Sequence, residues 1–84
     1  MQASECTDPV TQLLERTRLA ASLPVPEERR RIRVDAGASL RDLGVALEVH
    51  WMTVHRWEQG QVEPRVGHKA AYARLLAQLA QAAA

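Results

Sequence analysis

The sequence predicts an all-α protein, a compact five-helix domain, and three observations support this prediction. Apolar residues recur three and four positions apart in the segments that are rich in them, which is the spacing of one helix face. No segment shows the alternation of apolar and polar residues that is typical of a strand. The chain has 84 residues, enough for one small domain, and 46% of them are hydrophobic, mostly Leu, Ala and Val, with no Phe.

The first helix is predicted to begin at Asp8-Pro9. Asp8 provides a carboxylate N-cap, and proline is favoured at the first helical position. An apolar stripe follows at helical spacing, formed by Val10, Leu13, Leu14, Thr17 and Ala21. Pro24 disfavours helical geometry in the residue before it, so the helix is expected to end near Leu23.

Caps also mark the second and third helices. Pro26 opens the segment PEERRRIRVDA, whose two glutamates suit a helix N-terminus, and Gly37 is placed to end it. Ser39 is the next N-cap, and Asp42 follows three residues later in a capping-box relation. The apolar residues of this third helix are Leu40, Leu43, Val45, Ala46 and Leu47.

The fourth and fifth helices are predicted to follow a turn at Glu48-Val49. The fourth spans residues 50–59, and Gly60 stops it. Pro64 marks the next boundary, and the fifth helix runs from residue 65 or 66 to about residue 81. Its apolar side is formed by Tyr72, Leu75, Leu76, Leu79 and Ala83.

The segment from Ser39 to Gly60, SLRDLGVALEVHWMTVHRWEQG, resembles the helix-turn-helix of the phage repressor/Cro (XRE) family. The resemblance covers about residues 30–79 and implies that the fourth helix enters the DNA major groove as a recognition helix. It also implies core positions at Leu43, Leu47, Val49, Val54 and Trp57. Residues 1–23 are then an N-terminal tail and accessory helix, and residues 24–84 are the DNA-binding domain.

Two contacts are expected to fix the recognition helix. Two short helices that cross steeply need a small residue where they touch, and Gly44 provides one. Similar proteins pair an arginine of the preceding helix with a glutamate of the recognition helix, and the matching residues here are Arg33 and Glu58.

The resemblance assigns base contacts to the outer face of the recognition helix, at Trp51, Met52, His55 and Arg56. Arg56 suits a specific contact because its guanidinium can donate two hydrogen bonds to guanine O6 and N7. Two other interpretations of Trp51 remain open. It either folds back onto the N-terminal helix as part of the core, or forms a protein-binding patch with Met52.

Phosphate contacts supply most of the sequence-independent affinity of DNA-binding proteins. The candidates are Arg41, Gln59, Gln61, Arg65 and Lys69, with His68 beside them. In the basic run Arg29-Arg30-Arg31, at most one or two side chains can face a given partner, because adjacent residues fan out around a helix.

Three positions depart from the family pattern. Glu48 stands in the turn where glycine is usual, at a cost of roughly 1 kcal/mol if the backbone there is left-handed. His50 replaces the usual Ser or Thr N-cap of the recognition helix. Leu40 replaces a phosphate-binding glutamine at the start of the positioning helix.

Charge and composition bear on the class of function. The net charge is +1, and summing formal charges gives −3 for residues 1–28 and +4 for residues 29–84. The single cysteine, Cys6, excludes an internal disulfide and a cysteine-based zinc cluster. The sequence contains neither a catalytic constellation nor a phosphate-binding glycine loop. We expect neither an enzyme nor a cofactor, and no signal peptide or membrane span, which favours the cytoplasm.

The sequence therefore predicts a sequence-specific regulator of transcription, a small repressor that binds double-stranded DNA as a homodimer, at least when on DNA. The stripes of the first and last helices are either its self-association surfaces or, in a slightly favoured alternative, pack against each other. Two other functions remain: a protein-interaction module that kept the fold, and a DNA-bending excision or architectural factor. The sequence does not indicate a particular protein partner.

Overall fold

The structure, a computed structural model, describes residues 8–84. Cys6 and the rest of the predicted N-terminal tail lie outside these residues. Within residues 8–84 the chain forms five helices and no strand, so the all-α prediction is confirmed. The helices are α1 (Pro9–Ala21), α2 (Pro26–Asp35), α3 (Leu40–Leu47), α4 (Trp51–Gln59) and α5 (Val66–Ala83).

Local caps explain where most of these helices begin. The Asp8 carboxylate accepts the backbone N–H of Val10 at 3.3 Å and opens α1. At the start of α3 the Ser39 hydroxyl accepts the N–H of Asp42 at 3.0 Å, and the Asp42 carboxylate accepts the N–H of Ser39 at 2.8 Å. The predicted capping box is therefore present.

Two helix ends differ from the prediction. The first helix ends at Ala21, two residues before the expected Leu23, because Ser22 already serves as its C-cap. The last helix continues to Ala83, two residues beyond the expected end, since the alanine-rich sequence contains no residue that would stop it.

The core lies between α3, α4 and α5. Its buried residues are Leu43, Leu47, Val54, Trp57, Tyr72 and Leu76, and Val49 is partly buried against them. All the expected core positions of α3 and α4 thus face inward. The side chain of Ala83, which was expected to share the apolar side of α5, is exposed.

The packing of α1 corrects one prediction. Its apolar stripe faces solvent: Val10 is 64% exposed, Leu13 53% and Leu14 54%. The first and last stripes do not pack on each other, because Tyr72 and Leu76 already fill the core. Instead α1 approaches α5 with its opposite side, across a cleft lined by Gln12, Glu15, Arg16, Leu19, Gly67, Ala70, Ala71 and Arg74.

Among the helices that the structure describes, α1 lies against α5 alone and buries none of its residues. The short segment after it does reach the core, where Leu23 is partly buried. None of the five helices is both long enough and apolar enough to cross a membrane.

Candidate nucleic-acid interface

Gly44 sets the approach of α3 to the start of α4. A Cβ atom at this position would lie 2.8 Å from the Val49 carbonyl oxygen and 3.2 Å from the Trp51 backbone nitrogen. Both neighbours are backbone atoms, so they cannot move aside as a flexible side chain would. The expected need for a small residue at this crossing is therefore confirmed.

The α3–α4 turn has the left-handed backbone that the sequence pattern suggested. Glu48 adopts φ 59° and ψ 43° and is the only residue other than glycine with a positive φ within residues 8–84. The chain tolerates this conformation because the next residue, Val49, donates its N–H to the Gly44 carbonyl at 2.9 Å and packs against the core.

His50 caps α4 with its ring. The Nδ1 atom accepts the backbone N–H of Met52 at 3.1 Å. The imidazole also stacks on the Trp51 indole, with ring centres 5.5 Å apart. The unusual N-cap residue therefore makes a real cap, and α4 begins one residue later than predicted.

The two faces of α4 have different environments. Val54, Trp57 and Glu58 are buried on the inner face. The outer face carries three of the predicted base contacts, Met52, His55 and Arg56, together with Gln59. Helical spacing brings these four side chains onto one side, because they are three, four and seven positions apart. Arg56 is exposed and forms no ion pair within residues 8–84.

Trp51 stands at the N-terminal end of this face and is half-buried. The guanidinium carbon of Arg41 lies 5.8 Å from the indole centre, within reach of a cation–π interaction. The interpretation that Trp51 folds onto the N-terminal helix is wrong, because among the described helices α1 makes no contact with α4 and contacts α5 alone. An open groove of about 600 Å³ adjoins the ring and is lined by Arg41, Gly44, Val45, Glu48, Val49, His50 and Trp51.

The ion pair expected between Arg33 and Glu58 is present and joins α2 to α4. The Arg33 Nε lies 2.6 Å from Glu58 Oε2, and the Nη2 lies 3.1 Å from Oε1. The side chains are 12% and 1% exposed, respectively. Arg33 also donates to the Ala38 carbonyl at 3.0 Å. This two-pronged geometry holds the inner face of α4 in a fixed orientation.

Arg29 is a second buried arginine, which the sequence pattern did not single out. It is 4% exposed, and its guanidinium donates to the Pro24 carbonyl at 2.7 Å, to the Trp57 carbonyl at 3.0 Å and to the Glu63 carboxylate at 3.3 Å. A signal existed in the sequence: Arg29 and Arg33 are four apart, and helical spacing therefore puts both on the side of α2 that faces α4.

The rest of the basic run fans out as expected. Arg31 lies on the surface and pairs within its own helix, with Glu28 at 2.6 Å and Asp35 at 3.0 Å. Arg30 is exposed and forms no ion pair within residues 8–84. It shares a shallow cleft with Gln59, at the C-terminal end of α4. Arg30 therefore joins the candidates for a phosphate contact.

The predicted phosphate contacts have different surroundings. Arg41, Gln59, Gln61 and Arg65 are exposed, and so is His68, although its ring lies 5.9 Å from that of Trp57. Lys69 is half-buried, and its amine lies 4.0 Å from the Glu63 carboxylate, which offsets part of its charge. These residues come from α3, α4, α5 and the loop over residues 60–65.

No cluster of three or more His, Cys, Asp or Glu residues that could hold a metal ion occurs in the part of the chain that the structure describes. Comparison of the chain with protein-family models, with curated protein sequences and with solved structures finds no match. A functional interpretation therefore depends on the geometry of α3 and α4 and on the chemistry of their exposed side chains.

Proposed function

We propose that the protein is a sequence-specific DNA-binding regulator of transcription, in which α3 and α4 act as a repressor/Cro-like helix-turn-helix. One observation supports this most strongly: the outer face of α4 carries His55, Arg56 and Gln59 with no ion pair within residues 8–84, while its inner face is fixed by the core and by Arg33–Glu58. A helix held so firmly on one side can present the other side in a fixed orientation to the major groove.

The side chains of this face can distinguish base pairs. Arg56 is free to donate two parallel hydrogen bonds to guanine, the commonest specific contact in the major groove. His55 can donate to a base acceptor, and Met52 can pack against a thymine methyl group. Trp51, at the helix N-terminus, provides an apolar surface for a methyl group or a sugar edge.

Cations around α4 suit the phosphate backbone. Arg41 is held beside the Trp51 ring, Arg30 lies near the C-terminal end of α4, and Arg65 precedes α5. Together with Lys69 they give four basic side chains per chain. If all four reach phosphates, the logarithm of the binding constant falls with the logarithm of salt concentration with a slope of roughly −3 to −4.

The test is selection of binding sites from a randomised DNA pool, followed by fluorescence anisotropy at several salt concentrations. Arg56→Ala is expected to weaken binding to the selected site by about 1–3 kcal/mol and to relax specificity at one base pair. Arg74→Ala is the matched control, because it removes the same charge from an exposed arginine on the α1 side of α5. The proposal is wrong if wild type binds no DNA at low salt.

A second function, a protein-interaction module, is favoured by one feature. The surface near the α3–α4 turn is apolar: Val45 is 79% exposed and lines the same groove as Val49 and Trp51. An apolar protein contact would be nearly independent of salt, whereas DNA binding weakens steeply with salt. This alternative would be favoured if the chain binds no DNA but binds a protein with an affinity that does not depend on salt, and if Val45→Asp abolishes that binding.

The proposal includes a homodimer on DNA, with an inverted-repeat site and a cytoplasmic location. The sequence offered the stripe of α1 or that of α5 as a self-association surface, and Tyr72 and Leu76 of the second stripe are buried within the chain. The stripe of α1 is exposed and lies on the side of that helix opposite α5. It is therefore the surface that we propose for contact between the two copies.

A further inference from the structure

The loop between α4 and α5, residues 60–65, carries two of the proposed phosphate contacts, Gln61 and Arg65. Backbone hydrogen bonds fix its two ends: the N–H groups of Gly60 and Gln61 are bonded to carbonyls of α4, and the carbonyl of Arg65 accepts the N–H of Lys69 in α5 at 2.7 Å. Pro64 is buried, but it has no N–H to donate. Side-chain contacts must therefore hold the middle of this loop.

Arg29 makes such a contact from beneath the loop. Its Nη1 donates at 3.0 Å to the carbonyl of Trp57, near the end of α4, which also accepts the N–H of Gly60 at 3.3 Å. Its Nη2 lies 3.3 and 3.4 Å from the two carboxylate oxygens of Glu63. One guanidinium thus bridges the end of α4 and the middle of the loop.

The burial of Arg29 makes this bridge hard to replace. A buried guanidinium needs acceptors for its N–H groups and, to offset its charge, an anion. The carbonyls of Pro24 and Trp57 are neutral, and Glu63 is the only carboxylate paired with Arg29 within residues 8–84. The loop is therefore drawn onto Arg29 by the one charge that compensates it.

We propose that Arg29 is a positioning residue for DNA binding, which acts through Glu63 to hold Gln61 and Arg65 at the phosphate backbone. This inference rests on the proposed function. It also predicts whether Glu63 strengthens or weakens DNA binding. A carboxylate near DNA repels phosphates. Charge alone makes Glu63 unfavourable for binding, whereas its contact with Arg29 makes it favourable.

The two effects can be separated by Glu63→Gln. Glu48→Gln is the matched control, because it removes the same charge from an exposed residue of the neighbouring turn that has no ion pair within residues 8–84. We expect the Kd of Glu63→Gln for the selected DNA to rise about threefold to tenfold, with a salt slope reduced by about 1. The Kd of the control should stay unchanged or fall.

A measurement on the free protein tests the same contact without DNA. Backbone ¹⁵N order parameters at Val62 and Glu63, in the middle of the loop, should fall from about 0.85 to below about 0.6 in Glu63→Gln, whereas those of Val54 and Trp57 stay high. Unchanged order parameters in the loop, or a Kd that falls as in the control, would overturn the positioning role alone. Absence of DNA binding by wild type would instead overturn the proposed function.

Discussion

Gly44 determines how closely α3 and α4 can pack, and its substitution tests that directly. Gly44→Ala is expected to lower the free energy of unfolding by about 1–3 kcal/mol, because the new Cβ would meet the backbone at 2.8 Å and force the turn to move. Urea unfolding measures the change. Gly67→Ala is the control: a Cβ added there would meet no heavy atom within 4 Å beyond its chain neighbours and its own helix backbone, so a small gain of about 0.5 kcal/mol is expected. Equal effects of the two substitutions would contradict this account.

Glu48 stores backbone strain in the α3–α4 turn. Its φ of 59° brings Cβ close to the following carbonyl, which costs about 1–2 kcal/mol. Glycine avoids this cost, but it loses more conformational entropy on folding, which offsets part of the gain. Glu48→Gly should therefore raise the free energy of unfolding by about 0.5–1 kcal/mol. Glu48→Ala keeps the strain and should give no such gain. A similar gain in the free energy of unfolding from both variants would show that loss of the Glu48 charge, and not relief of backbone strain, causes it.

The ion pair of Arg33 and Glu58 shows how two elements are joined. Either Arg33→Ala or Glu58→Ala leaves a buried charge without its partner, and each is expected to lower the free energy of unfolding by about 3 kcal/mol or more. Arg31→Ala, which breaks only exposed pairs of the same helix, should cost less than about 1 kcal/mol. Thermal unfolding compares them, and an unchanged Tm in both buried-pair variants would refute the prediction.

The capping box makes the start of α3 sensitive to pH. The Ser39 N–H, followed by its hydroxyl, lowers the pKa of Asp42 below the usual 3.8. A lowered folded pKa stabilises the protein above the unfolded value, and this contribution is lost as the pH falls through the folded pKa. Asp42→Asn should therefore be less stable than wild type at neutral pH. The difference should close below pH 3.8.

Chemical unfolding of wild type and Asp42→Asn across this pH range checks the prediction. Glu48→Gln serves as the control, since its side chain is exposed and caps no helix. A difference in stability that persists unchanged at the acidic end would show that Asp42 acts through something other than its ionised carboxylate.

Helix boundaries were predictable where their causes are local. Asp8, Ser39 and Gly60 each act on backbone groups within a few residues, and the structure has a helix end at each. The outer face of α4 was predictable for the same reason, since helical spacing alone separates Arg56 from Val54.

Contacts between distant segments were harder to predict. The stripe of α1 was expected to pack within the chain, but the opposite side of α1 faces small residues of α5. This arrangement depends on α3 and α4, because Tyr72 and Leu76 of α5 are buried in the core with them. The burial of Arg29 depends equally on carbonyls and a carboxylate that come from three separate segments. Spacing within one helix carries little of that information.

At the scale of the whole molecule, internal ion pairs determine which basic side chains remain available at the surface. Of the nine basic residues after residue 28, the three arginines of α2 at positions 29, 31 and 33 are paired internally. Their partners are Glu63 for Arg29, Glu28 and Asp35 for Arg31, and Glu58 for Arg33, so these charges are offset within the molecule. The remaining exposed arginines, among them Arg30, Arg41 and Arg56, are free within residues 8–84 to meet phosphates or bases. A protein with a net charge of +1 can thus present a distinctly basic surface.

The organisation of the molecule also predicts that α1 can be removed without loss of the fold. Because α1 buries none of its residues and Leu23 packs on the core, a chain of residues 23–84 should keep its helices and unfold cooperatively. The loss of the half-buried Leu19 contact should cost about 1–2 kcal/mol. A chain of residues 8–84, which retains α1, is the control. Circular dichroism and urea unfolding measure both, and an unfolded shorter chain would contradict this division.

The same shortened chain tests whether the proposed DNA binding and the proposed self-association reside in different elements. On a half-site, where one copy binds, its Kd should match that of the full chain within about twofold, because α3, α4 and the 60–65 loop are intact. On the inverted repeat the full chain should bind about ten times more tightly or better, since contact between two α1 helices makes the second binding event effectively intramolecular. Equal affinity of both chains for the inverted repeat would show that the copies do not meet through α1, and would leave the recognition face of α4 unaffected.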